Sequence, residues 1–500
     1  MGQILLELCC GSAENAIKAA FDGARRNYLR SIAKTLGKQL LPLLLLCLAI
    51  SAACAQEAPP VNASPRPNDK AKWTDQQKAE MAASVRQEFL HAWNGYRQYA
   101  WGHDELRPLS KSYRDWYGTS LLMTPVDALD TLVLMGLKDE ARADRELIDK
   151  SLSFDKDIYV KNFEITIRLL GGLLSSYQLT GDPRLLALAD DLGERLLPAF
   201  NSPTGMPYVF VNLKTGAVSG VESNHAEIGS LLIEFGTHSK LTGKPVYYDK
   251  AKRALVEIYN RRSPIGLVGS IINVETGKWI DPTSHISGGI DSYYEYLLKC
   301  SILFHDKDCE RMWKTSIAAL NQYVADPTPT GLWYAQVNMN TGARISTHYG
   351  ALDAFFPAVL ALSGDLDRAR RLQESSYKMW TTFGVEPEEL DYSTMKITYP
   401  GYELRPEIIE STYYLYYFTG ESRYLDMGKT FFDSLQKYCR TDAGYAALLN
   451  VETKEKRDNM ESFFLAETLK YLYLLYAPKS TLDLHQVVFN TEAHPMQRTW

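Results

Sequence analysis

Seven acidic residues recur along the chain near the start of a helical pattern: Asp127, Glu164, Glu227, Asp291, Asp353, Glu407 and Glu467, at intervals of 37, 63, 64, 62, 54 and 60 residues. Helix-start signals precede most of them, Thr124-Pro125 before Asp127, Asn162-Phe163 before Glu164, Ser223-Asn224 before Glu227, Gly288-Gly289 before Asp291 and Arg405-Pro406 before Glu407. A carboxylate in a first turn complements the helix dipole, which is a sufficient account of any single one. If the helices carrying them run the same way round a closed ring, however, their N-termini converge at one mouth and the acids form a ring there. Such a ring can hold hard cations. One pair within it can also hydrolyse a glycosidic bond, a protonated group donating to the leaving oxygen while a carboxylate activates water. Differences in burial would set which member keeps its proton.

The elements that must position these acids are helices. Segments 163–180, 184–197, 227–242, 246–259, 291–304, 308–324, 366–379, 421–438 and 460–476 carry apolar residues at three-and-four spacing. They are broken by Thr180-Gly181-Asp182-Pro183, Thr242-Gly243-Lys244-Pro245, Ser363-Gly364-Asp365 and Thr419-Gly420-Glu421-Ser422, each of which ends one helix and starts another within a few residues. That is the mark of an αα-hairpin. Seven such hairpins, one helix of each inside and the other outside, would close into an all-α (αα)7 toroid. An open superhelix is the other arrangement, with shorter and more uniform repeats.

The 500 residues are 45% hydrophobic and 23% charged, which excludes wholesale disorder and a fibrous repeat. Residues 39–50 form an apolar run too short to span a bilayer, preceded by Arg30, Lys34 and Lys38 and followed by Ala53-Cys54-Ala55. The run reads as a secretory signal peptide cleaved after Ala55, so the protein is expected to be exported, periplasmic or secreted. The other readings are an N-terminal anchor and a lipoprotein lipidated at Cys54; residues 1–28 fit none of them and read as an over-extended start. Residues 1–55 hold six basic and three acidic groups, so the remainder carries 48 and 57 and is net −9. Nothing in that balance would displace counterions from phosphate, and no nucleic-acid partner is expected. The 31 tyrosines would suit a sugar-binding cleft. Residues 56–72, rich in Pro, Ala and Asn, read as a tether before a single domain over 73–500. Of the cysteines beyond the signal, Cys300 and Cys309 flank a short turn and could pair, leaving Cys439 over; no Cys/His cluster has zinc-ligand spacing.

Longer motifs carry a resemblance. Tyr99-Ala100-Trp101-Gly102-His103-Asp104-Glu105-Leu106-Arg107-Pro108, the run from Asn162 to Leu173, Asp291-Ser292-Tyr293-Tyr294-Glu295-Tyr296, Leu404-Arg405-Pro406-Glu407-Ile408-Ile409-Glu410-Ser411, Met460-Glu461-Ser462-Phe463 through Glu467-Thr468, and Phe489-Asn490-Thr491-Glu492-Ala493-His494-Pro495 together resemble glycoside hydrolase family 47, the class I α-1,2-mannosidases. The resemblance implies an (αα)7 barrel that removes terminal α-1,2-linked mannose with inversion and uses a bound Ca²⁺. It implies that Glu164 is the general acid, Glu407 the general base, and Asp291 a third essential carboxylate that also competes for the acid role. Thr491 matches the threonine whose hydroxyl and carbonyl both bind Ca²⁺. Glu227, Glu410, Glu467 and Glu492 match acids that hold the sugar or the ion's waters, Phe463 the aromatic under the ring, Arg405 a further substrate contact, and Arg168 the partner that orients Glu164. A C-terminal strand or β-hairpin would have to plug the barrel axis to deliver Thr491.

The chain departs from the family pattern at Leu352-Asp353-Ala354-Phe355, where a histidine is common, at Gly289, where some members carry arginine, and at Ser376, about where a disulfide cysteine is usual. A mannose-binding, weakly active or inactive module of the same fold is the alternative that Ala354 and Gly289 suggest. A lyase acting on acidic polysaccharide would need a basic cleft that a net −9 chain does not offer. The expectation is therefore a bacterial exported monomer with a mannose-containing oligosaccharide as substrate and no stable protein partner.

Overall fold

Two kinds of helix alternate along residues 73–499, the part of the chain that the computed structural model describes. The first kind is apolar on all sides. Met123–Leu134 is buried at every position from Met123 to Leu132, and Asp291–Leu303 from Ser292 to Cys300. The second kind has one apolar stripe: Lys138–Ser151 buries Ala141, Asp144 and Ile148, and Pro183–Leu196 buries Leu185, Ala189, Leu192, Gly193 and Leu196. A helix without a polar face has to be enclosed, whereas a striped one can cover it and face water.

The enclosed helices are Met123–Leu134, 162–180, 225–242, Asp291–Leu303, 352–363, Glu407–Thr419 and 464–476. Each packs beside the next, and the last returns to the first. Six outer helices follow their inner partners directly: Lys138–Ser151, Pro183–Leu196, Pro245–Asn260, Lys307–Ala319, Leu366–Phe383 and Arg423–Tyr438. The seventh is the opening helix Asp75–Tyr99, which packs against 464–476 and closes the outer ring. The result is the expected (αα)7 barrel.

The hairpin corners follow from the sequence. Gly181, Gly243, Gly364 and Gly420 end inner helices with φ of +70°, +73°, +92° and +70°, a left-handed conformation that costs glycine little. Asp182 and Asp365 then cap the next helix through the backbone N–H of Arg184 and Arg368. The longer returns from outer to inner helices carry short antiparallel strands of two to four residues. One inner segment expected to be continuous, 227–242, is broken after Gly229 and resumes at Leu232.

The axis is plugged by a C-terminal β-hairpin. Val487–Phe489 pairs with Pro495–Gln497, and the hairpin packs on inner helices 162–180 and Asp291–Leu303. Gly171 makes room for it, since a Cβ there would lie 2.7 Å from Asn490 Nδ2 and 3.0 Å from His494 Cδ2, while a Cβ on Gly172 would lie 2.6 Å from the Val126 carbonyl oxygen of the first inner helix. Cys300 and Cys309 form a disulfide and Cys439 is a buried free thiol. Ser376 bonds the Tyr349 hydroxyl at 2.8 Å. Among the described residues no helix is long and apolar enough to cross a membrane. The stretches expected to form a signal peptide and a tether, with Cys54, lie outside the described residues.

Candidate active site

The inner helices start at one end of the barrel, and their first turns deliver the acids. Asp291 and Glu407 are the first residues of their helices, Glu164 the third of its own and Glu227 the third residue of 225–242. Glu467 and Arg168 come from deeper positions, on π turns Phe464–Thr468 and Thr166–Leu170, which widen the helix locally and re-aim a side chain. Thr491 and Glu492 come from the turn of the plugging hairpin.

These parts enclose a cavity of about 280 Å³ lined by Glu164, Arg168, Glu227, Asp291, Arg405, Glu407, Phe463, Glu467, Thr491 and Glu492. A recess of about 50 Å³ shares Asp291, Glu407, Glu467 and Thr491 and adds Glu295 and Glu410. Every expected site residue is thus in one place. A wider surface depression of about 490 Å³ near Arg262 and Gln322 has no acid in its lining and offers no such chemistry. Two members of the expected ring are not on the wall. Asp127 sits in the second turn of its helix and is buried, accepting from His494 Nε2 at 3.1 Å and from the Ser462 hydroxyl. Asp353 is buried and accepts from the Gly350 N–H at 2.9 Å.

Two guanidiniums face six carboxyl groups on this wall. Arg168 donates to Glu164 Oε2 from Nε and Nη2 at 3.2 and 3.1 Å, and pairs with Glu492. Arg405 is held by Glu388, bidentate at 3.0 to 3.2 Å. Both guanidiniums lie against Phe463, 5.7 and 5.6 Å from its ring centre, so the aromatic floor is fixed between two cations. Burial pushes Asp291 and Glu407 up to about 7 and Glu410 up to about 8. Burial also raises Glu467 and Glu492 well above the usual carboxylate range, Arg168 opposing it in both cases. Glu407 Oε2 has no hydrogen-bond partner.

This donor set suits a hard cation, since it offers only oxygen and an excess of acid. The carboxylates do not close into a tight ligand cluster of their own. The cluster of that kind among the described residues is Cys300, Asp306 and Cys309, whose sulfurs are bonded to each other. Thr491, which the family resemblance makes the ion's protein ligand, lies on the same wall.

Sequence reasoning missed several supports. Glu388 holds Arg405, and Lys299 pairs with Glu295 inside the barrel. Asp127, Asp130, Lys470 and His494 form a buried junction under the hairpin, with Lys470 2.7 Å from Asp130 Oδ1 and His494 Nδ1 2.7 Å from Asp130 Oδ2. A signal was available: a lysine or a pair of aspartates one turn apart in an otherwise apolar helix must find a buried partner.

A closed (αα)7 barrel whose mouth gathers carboxylic acids around an aromatic floor is the frame of a sugar-hydrolysing enzyme. The model of glycosyl hydrolase family 47 matches residues 88–498, and the chain belongs to that family. It is 39% identical over 451 residues to alpha-mannosidase I MNS5 of Arabidopsis thaliana, covering 84% of this chain and 77% of the plant protein. It is 37% identical over 494 residues to human ER degradation-enhancing alpha-mannosidase-like protein 2, covering 91% and 82% of the two chains. Among solved structures it is similar to the α-1,2-mannosidase from Trichoderma reesei, with a TM-score of 0.78, 29% identity, and coverage of 84% and 99%.

Proposed function

We propose that this glycoside hydrolase is a Ca²⁺-dependent, inverting exo-α-mannosidase that removes terminal α-1,2-linked mannose from oligosaccharides or mannans. The observation that carries the reading is the meeting of Glu164, Asp291, Glu407, Glu467, Glu492 and Thr491 around one cavity of sugar dimensions. The names of the relatives support the sugar and the linkage.

Phe463 receives the apolar face of the terminal mannose, and Arg405 and Arg168 flank it. Glu407, raised by burial to about 7 and with Oε2 free of protein partners, takes a proton from the attacking water near neutral pH. On the other side of the bond a proton must reach the leaving oxygen. Glu164, fixed by Arg168, or Asp291, which burial keeps protonated up to about 7, would deliver it. Thr491 would hold the cation, with Glu467 and Glu492 holding its water shell. A bound Ca²⁺ supplies ligation to vicinal sugar hydroxyls, which favours a distorted ring on the way to an oxocarbenium-like state. We further propose that the protein works in an oxidising compartment outside the cytoplasm, as the Cys300–Cys309 disulfide suggests.

Hydrolysis of α-1,2-mannobiose followed by NMR tests the reading. The first product is expected to be β-mannose, activity is expected to vanish in EDTA and return with Ca²⁺, and metal removal should lower the melting temperature. Early α-mannose overturns inversion, and full activity in metal-free buffer overturns the Ca²⁺ assignment.

A further inference from the structure

The hairpin turn that presents Thr491 has no covalent tether within the barrel, yet Thr491 has to face the acids with both its hydroxyl and its carbonyl. One buried carboxylate controls the residues on either side of that requirement. Glu234, fully enclosed on inner helix 225–242, accepts from Asn490 Nδ2 at 2.7 Å and from the Tyr296 hydroxyl at 2.6 Å, both on the same oxygen. Tyr296 in turn accepts from the backbone N–H of Thr491 at 3.3 Å. Asn490 continues the control along the turn: its Oδ1 accepts from the N–H of Glu492 at 2.9 Å and of His494 at 2.8 Å, while Nδ2 also donates to the Ile167 carbonyl at 2.9 Å. Gly171 is the residue that admits the amide. Glu234 therefore aims all three residues of the turn, Asn490 directly, Thr491 through the Tyr296 hydroxyl and Glu492 through the Asn490 amide.

We propose that Glu234, acting through Tyr296 and Asn490, is the positioning residue of the cation site: it sets the orientation of Thr491 and so the affinity for the ion, without touching ion or sugar. This rests on the Ca²⁺ reading above. A partner of this rank, ordering a ligand from behind, is worth about ten- to a hundredfold in metal affinity where such partners have been removed. Tyr296 is the cleaner handle, because Phe keeps the ring and deletes only the link to the Thr491 N–H.

Calorimetric titration of Ca²⁺ into the metal-stripped protein provides the test, with turnover measured at low and saturating Ca²⁺. Tyr296→Phe is expected to weaken Ca²⁺ binding by about tenfold or more, and to recover near-normal kcat once Ca²⁺ is saturating. Glu234→Gln, which keeps an acceptor oxygen for both donors, is expected to bind Ca²⁺ far more nearly as the parent does than Glu234→Leu. If Tyr296→Phe and Glu234→Leu bind Ca²⁺ as tightly as the parent, with only the metal-free melting temperature lowered, the triad is packing and the proposal is overturned while the Ca²⁺ reading stands. If the parent itself binds no Ca²⁺, both fall together.

Discussion

The mouth of the barrel and the junction beneath its plug are built from the same materials and behave in opposite ways. At the junction, Asp127 and Asp130 meet His494 and Lys470, every one of them with a fully buried side chain, and each acid has a basic partner within 3.1 Å. Asp130 is held down at about 2, Lys470 and His494 outweighing its burial, while Asp130 and Asp127 push His494 up to about 9 against burial. At the mouth the acids outnumber the guanidiniums, burial is not answered, and Asp291 and Glu407 rise to about 7. Charge balance, not residue type, separates a strut from a site. The strut is paired and finished; the site keeps protons it can move and an excess of acid that suits a hard cation.

Breaking the site should cost rate and leave the fold. Glu407→Gln keeps the shape of the side chain and removes the base, so kcat is expected to fall by about two to four orders of magnitude, with mannobiose binding retained in calorimetry. Turnover near that of the parent would remove Glu407 from its role and erase the distinction at its strongest point.

Breaking the strut should cost stability instead. His494→Ala strips two buried aspartates of a shared cation, and losing one partner of such a pair costs about 3–5 kcal/mol, read as unfolding free energy in denaturant. Glu410→Gln is the control from the site. Glu410 is pushed up to about 8 by burial, and its bond from the Tyr471 hydroxyl needs only an acceptor, which the amide provides. Its stability is expected to match or exceed that of the parent, as for groups whose strain serves function. Equal losses in the two variants would mean that the regions do not differ in kind.

The same difference decided what could be read from the sequence. First-turn acids behind helix-start signals were legible because a cap is a local event: Glu164, Glu227, Asp291 and Glu407 all stand where spacing put them. So was the count of hairpins, through the seven recurring acids, with corners such as Thr180-Gly181-Asp182-Pro183 marking the turns between paired helices. Inner helices 123–134, 352–363 and 407–419 were not picked out by periodicity; each is buried over most of its length and has little polar face to set off a stripe. Asp127 and Asp353 fit the interval yet face inward, a matter of one turn that only packing decides. Glu388, Asn490 and His494 find partners far away in sequence, and no local pattern announces them. Thr491 was placed by family resemblance; its residue type alone reads as a turn.

The pH profile of the metal-free protein should separate the two regions again. Between about pH 4, where free carboxyls titrate, and about 7, native Asp291 and Glu407 hold protons that the unfolded chain has released. The native state then binds more protons, and stability falls as pH rises, by about 1.4 kcal/mol per pH unit for each proton held. The junction works differently. Asp130 contributes fully above its unfolded value of 3.8 and is lost only as pH falls through about 2. His494 contributes fully below 6.5 and is lost as pH rises through about 9. Denaturant titrations at stepped pH in EDTA should therefore slope downward from pH 4.5 to 7, and Glu407→Gln should flatten part of that slope. A flat parent profile would show that the mouth acids are not held protonated.

The smallest effect is expected where site and strut meet water. Lys161 lies 3.6 Å from Glu227 at the rim, with 44% of its side chain exposed, so the pair is neither buried and balanced nor buried and unanswered. Exposed ion pairs of this geometry contribute about 0.2–1 kcal/mol, because solvent and salt do most of what the partner does. Lys161→Met should accordingly change unfolding free energy by no more than about 1 kcal/mol, within reach of careful denaturant curves. Its effect on the reaction should be confined to substrate capture. Glu227 is already raised by burial with Lys161 opposing, so losing the lysine leaves a more readily protonated and less firmly placed sugar contact while Glu407 and Asp291 are untouched. KM is expected to rise up to about fivefold, the equivalent of 1 kcal/mol, at unchanged kcat. A fall in kcat comparable to that of Glu407→Gln would show instead that the rim belongs to the catalytic charge system, and that the boundary between balanced and unbalanced acids runs further out than the cavity wall.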